Sequence, residues 1–173
     1  MSGLDAEKGD TGNADAQPTT LTLPQRRRAA RLAAVQALYQ MDLAGGQDKT
    51  VIREFRDHHF GHADEPEKTE ADEEFFEDLV TGVVANQADV DAAISEHLSK
   101  KWTLKRLDIT LRAIMRAASF EIMQRPDVPA LVVIDEYVSI AADFFDGGGE
   151  MNFVNASLDK LAKSVRKAEF GLI

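Results

Sequence analysis

A chain of 173 residues, 44% hydrophobic and 29% charged, has the composition of one globular domain and can bury roughly 70% of the surface its unfolded form exposes. The absence of cysteine excludes a disulfide scaffold, a thiol nucleophile, a Cys-ligated zinc and an iron–sulfur cluster. A formal net charge of −10 argues against wholesale nucleic-acid binding, but the average hides a segregation of charge along the chain.

Residues 1–21 hold almost nothing large and apolar and read as a disordered acidic tail. They carry no secretory signal, and no stretch approaches the roughly 18 consecutive apolar residues of a membrane span. The expectation is a cytoplasmic protein with one folded domain over 22–168 and a short tail at 169–173. A first helix begins at Pro24, with Leu32, Val35, Leu38 and Tyr39 at helical spacing, and Gly45-Gly46 stops it. A second runs over about 49–60. Thr69 and Asp72 resemble a capping box for a third helix built on Phe75, Phe76, Leu79, Val80 and Val83. Asp89 reads as the cap of a fourth, with Val90, Ile94 and Leu98 inward. The fifth is the clearest: Leu104, Leu107, Leu111, Ile114, Met115, Ala118 and Ile122 step by three and four. Arg125 to Pro129 breaks it and starts a sixth, carrying Ile134, Val138, Ala141 and Phe145. The Asp146–Gly149 run reads as a flexible connector into a seventh with Val154, Leu158, Leu161 and Val165. No segment sustains period-two alternation, so the fold class is all-α with about seven helices.

Ten acidic residues and one lysine lie between Asp57 and Asp78, whereas Leu98 to Arg125 holds seven basic residues against Asp108 and Glu121. This pattern predicts a basic side and an acidic side. Arg26, Arg27, Arg28 and Arg31 crowd the first turns of helix 1, where cations oppose the macrodipole at about 0.3–1 kcal/mol each. A solvated helix start is the plain reading. Phosphate binding by Arg27, Arg28 and Arg31, converging at spacings of three and four, is the functional one. Tyr39 and Gln36 on the same helix could stack on a base or bond its edge, and Trp102 stands beside Lys100-Lys101.

Other clusters carry less. His58 and His62 have an i, i+4 spacing, but no HExxH arrangement accompanies them, and no metal site is expected. Gly147–Gly149 precede a helix without a GKS/T or GxGxxG sequence, and Glu150 would repel phosphate. No Ser/His/Asp arrangement or isolated carboxylate pair emerges, so neither catalysis nor a cofactor is expected.

With the helices placed, the order of motifs resembles the NusB family of transcription antitermination factors, in particular its alphaproteobacterial members. The resemblance rests on Arg27-Arg28-Ala29-Ala30-Arg31 leading into Ala34-Val35-Gln36-Ala37-Leu38-Tyr39-Gln40. It continues through Phe75–Val83, Trp102–Glu121, Arg125–Pro129, Val133–Val138 and Phe153–Lys160. It covers roughly residues 24–166. It implies two perpendicular halves, each like a three-helix bundle. It also implies a heterodimer with NusE, the small-subunit ribosomal protein, that binds boxA-type single-stranded RNA in an RNA polymerase antitermination complex. The outcome would be read-through of ribosomal RNA operons.

Carried onto this sequence, the resemblance assigns RNA contact to Arg27, Arg28, Arg31, Gln36 and Tyr39, and at the last helix to Asn152, Phe153 and Asn155. The ribosomal partner is expected over Trp102, Lys105, Leu111 and Arg112. Gly149, Glu150, Met151 and Asn152 depart from the family, many of whose members have an acidic-Ser run and a basic residue there. The alternative is a helical interaction scaffold or ribosome-assembly factor without specific RNA readout. A third reading, a helical domain preceding a methyltransferase domain, lacks the strand pattern it needs. Three phosphate contacts predict a log–log salt slope of about −2, at roughly −0.7 per phosphate.

Overall fold

The computed structural model describes residues 21–62, 64–98 and 102–173. Among these, seven α-helices follow one another: α1 Leu23–Ala44, α2 Asp48–His58, α3 Glu73–Ala85, α4 Gln87–Glu96, α5 Ile109–Gln124, α6 Ala130–Phe144 and α7 Glu150–Val165. Short 3-10 turns, Leu104–Arg106 and Lys167–Phe170, precede α5 and follow α7. No strand occurs among the described residues; Phe60 and Thr69 form an isolated parallel bridge. The expected tail lies almost wholly outside the described residues.

The helix starts are chemically specified. Thr22 and Gln25 form a reciprocal capping box on α1, with the Gln25 N–H donating to Thr22 Oγ1 and the Thr22 N–H donating to Gln25 Oε1. Pro24 occupies the first turn, where its missing N–H is tolerated. Gly45, at φ +76°, ends the helix in a backbone region that favours glycine. Asp72, not Thr69, caps α3 by accepting from the Phe75 N–H at 3.1 Å. Thr69 instead bonds its backbone to His59 and Gly61. Asn86, not Asp89, precedes α4. Asp108 caps α5 through the Thr110 N–H at 2.8 Å, so the fifth helix begins later than its apolar spacing suggests.

Helices α1, α2 and α3 pack together, as do α5, α6 and α7; α4 lies on α5, and α1 and α3 join the two groups by packing on α5. Phe75, Phe76, Leu79, Ile114, Met115, Tyr137 and Leu158 form the most buried layer. Arg31 of α1 meets Glu121 near the end of α5, and Asp42 near the end of α1 meets Arg112 near its start. Those two pairs set α1 and α5 antiparallel, which orients everything on their surfaces.

The expected domain limit at 168 falls inside the second 3-10 turn. Glu169 Oε1 accepts the Ala130 N–H at 3.1 Å, and Phe170 packs against the core, so the folded unit extends to Phe170.

Candidate nucleic-acid interface

The arginines at the start of α1 do not share one fate. Their side chains are 26%, 64% and 4% exposed at Arg27, Arg28 and Arg31. Arg31 points inward. Its Nη2 lies 2.6 Å from Glu121 Oε1, and its Nε donates to both carboxylate oxygens at 3.0–3.1 Å. Burial disfavours the Arg31 charge, but the hydrogen bonds and charge of Glu121 outweigh it and raise the pKa. Tyr137, completely buried beside this pair, has its pKa pushed well above the usual tyrosine value by burial and by the Glu121 charge. The expected convergence of three arginines on phosphate is therefore corrected: Arg31 is an internal ion-pair residue, Arg28 is exposed, and Arg27 reaches the surface only in part.

Arg27 is held at the surface of the first helical group. Its Nε lies 3.3 Å from Asp72 Oδ2, while the other Asp72 oxygen caps α3. Arg27, Arg31 and Arg125 all approach the buried Phe75 ring, with guanidinium carbons 4.8–5.0 Å from its centroid. Arg125 is further fixed by Asp78 at 3.0 Å and Asp127 at 2.9 Å, and these hydrogen bonds raise its pKa. Arg28 reaches across to α6, where its Nε and Nη2 donate to the two Glu136 oxygens at 3.1 and 3.2 Å. This pairing raises the Arg28 pKa.

Some contacts cross the expected division into a basic and an acidic side. Asp72, Glu77 and Asp78 of the acidic run pair with Arg27, Arg56 and Arg125. Three of the ten acidic residues of that run are thus folded against arginines.

Further along α1, Gln36 is exposed and Tyr39 is half-buried against the core. Tyr39 is eleven residues from Arg28, about 16 Å of helix. On α7, Asn152 and Asn155 are exposed, whereas Phe153 is half-buried. Phe153 lines a groove of about 390 Å³ with Trp102, Leu107, Asp108, Leu111 and Glu150. Leu111 lies ten residues before Glu121 on α5, about 15 Å of helix. Phe153 therefore belongs with the expected partner residues Trp102 and Leu111, at the end of α5 away from the arginine cluster. Lys105 is exposed nearby. Arg112 is turned toward Asp42, at 2.7 Å, and donates to the Leu104 carbonyl.

The histidines do not assemble. His59 stacks on Phe55 with centroids 4.3 Å apart, His58 and His62 are exposed, and no group of three metal-ligating side chains occurs among the described residues. Gly147, at φ +73°, makes the turn before α7. No helix among the described residues is long and apolar enough to cross a membrane.

The sequence reading missed Glu121, Glu136 and Asp72 as the groups that meet the arginines. One signal was available: Glu121 sits beside Ile122 and three residues after Ala118, on an apolar stripe that ordinarily excludes an unpaired carboxylate.

The NusB family profile matches residues 28–163. This chain belongs to the NusB family. A transcription antitermination protein NusB from Maricaulis maris is 57% identical, over 83% of this chain and 90% of that one. Among solved structures, T. maritima NusB superposes with a TM-score of 0.67 at 29% identity, over 84% of this chain and 97% of that one. The chain matched in a crystal structure of NusB and NusE with double-stranded RNA superposes at 0.63 and 22% identity, over 79% and 96%. That last likeness is one of fold. The all-α architecture and the alphaproteobacterial kinship expected from the motifs are both found.

Proposed function

We propose that this chain is a transcription antitermination factor. It binds boxA-type single-stranded RNA jointly with the ribosomal protein NusE, as part of an RNA polymerase antitermination complex acting in the cytoplasm on ribosomal RNA operons. The observation that carries the reading is the pair of arginines that reach the surface, Arg28 fully and Arg27 in part, at the start of the first helix of a NusB-family chain. Further along α1 lie the exposed Gln36 and the half-buried Tyr39, and on α7 the exposed Asn152 and Asn155. A splayed single strand can follow such a helix with phosphates on the guanidinium groups and bases on the polar and aromatic side chains. The groove of Trp102, Leu107, Leu111 and Phe153 supplies the partner surface, with Asp108 and Glu150 suiting a basic protein. The role is binding without catalysis.

Binding of a labelled boxA-like single strand, alone and with NusE, tests this. Affinity should rise with the partner and fall at least tenfold in Arg27→Ala/Arg28→Ala, while a duplex of the same sequence binds less well. NusE binding with no RNA affinity in either state would replace this reading with a scaffold or ribosome-assembly role.

A further inference from the structure

Arg28 is the exchangeable member of the arginine trio. Arg31 cannot leave Glu121 without stranding a charge in the core. Arg27 is held by Asp72, whose other oxygen caps α3. Arg28 has neither restraint. Its side chain is 64% exposed, while Glu136 is only 16% exposed and fixed on α6. The guanidinium can swing away and leave the carboxylate where it stands. The Arg28–Glu136 contact is a two-bond fork, the same geometry in which a guanidinium grips phosphate. Glu136 and an RNA phosphate therefore compete for the same donors.

We infer that Glu136 is a built-in competitor that holds Arg28 until an RNA strand displaces it, and so sets the affinity threshold of the RNA surface. The inference rests on the proposed RNA role of the α1 arginines. Displacement takes the same free energy whatever the sequence of the strand. A strand with further base contacts along α1 can offset it; an unrelated strand cannot. Removing the carboxylate therefore tightens all single strands by a similar factor and brings unrelated RNA into the binding range.

The test measures fluorescence anisotropy of two labelled probes, a boxA-like strand and oligouridine, with the full chain. Glu136→Gln should bind both three- to tenfold more tightly. Asp135→Asn removes the same charge one residue away, at an exposed side chain with no ion pair among the described residues, and should change affinity less than twofold. In an Arg28→Ala background, Glu136→Gln should give no more than Asp135→Asn does. Exposed pairs contribute little to stability, so these variants should fold; Glu136→Ala, with melting followed alongside, is the second variant. If Arg28→Ala weakens binding but neither Glu136 variant tightens it beyond the Asp135 control, the competitor is overturned and the RNA surface stands. A gain that persists without Arg28 also overturns it. If Arg28→Ala changes nothing, Arg28 takes no part in RNA binding and the competitor is overturned; the RNA reading itself falls only if the Arg27→Ala/Arg28→Ala variant is silent as well.

Discussion

Arg31 and Glu121 form an almost fully buried ion pair, in which the single Nε N–H is shared between both carboxylate oxygens and Nη2 donates to one of them. Its formation is weak evidence for stability, but removing one member leaves an uncompensated charge in the core. Glu121→Ala should lower unfolding stability by about 3–5 kcal/mol. Arg31→Met/Glu121→Leu should recover most of it, as buried pairs replaced by apolar residues of similar volume often do. Urea titration checks this, provided the slope stays unchanged between variants so that the midpoints report stability. RNA affinity of the folded double variant should match that of the parent; a large loss would return Arg31 to the RNA surface. The sequence contained half of this. Arg31 lies four residues before Val35 and three before Ala34, both buried, so its register already pointed inward. What spacing could not supply was the partner ninety residues away. Guanidinium chemistry alone suits a phosphate and a buried carboxylate equally.

Helix existence was legible because each apolar stripe is long and regular, and all seven expected helices occur. Their ends were less so, since several residues in each loop can act as caps and only tertiary position decides among them. Asp72 prevails over Thr69 because its backbone N–H also donates to the Arg26 carbonyl and its second oxygen receives Arg27. The end of α5 shows a device that no local rule reveals. Arg166, just beyond α7, sends Nε to the Ile122 carbonyl at 2.7 Å and Nη2 to the Glu121 and Arg125 carbonyls at 3.0 and 2.7 Å. Its Nη1 reaches the Val128 carbonyl. A residue 41–45 positions away thus bonds two of the last carbonyls of α5 and that of its cap residue, and fastens α7 to it. Arg166→Ala should cost roughly 3 kcal/mol, since several carbonyls lose a charged donor. Arg166→Lys should recover only part of this, because an ammonium cannot span the fork. Thermal unfolding of the two variants separates geometry from charge: equal melting points would mean that the fork is irrelevant.

Across the whole molecule, folding interleaves charges that the sequence keeps apart. Asp72 and Asp78 come from the acidic run and Arg125 from the basic one, yet all meet around α1 and α3. The net charge of −10 therefore acts on RNA as a long-range repulsion, against which the arginine cluster provides a local attraction. Salt weakens both. With Arg31 internal, the proposed RNA surface keeps two candidate phosphate contacts, Arg27 and Arg28, and single-strand counterion release then predicts a log–log slope of about −1.4 instead of −2. Screening of the repulsion makes the slope shallower still, so about −1.4 is its steep limit for the isolated chain. Under the proposed function NusE joins this surface, and any phosphate contacts it adds should steepen the slope. Binding isotherms between 50 and 200 mM salt, roughly the range over which such slopes are resolved, give both values. A slope of −2 or steeper without the partner would require a third phosphate contact from this chain. A slope unchanged by the partner would mean that the partner strengthens binding by ordering this surface, without touching the RNA backbone itself.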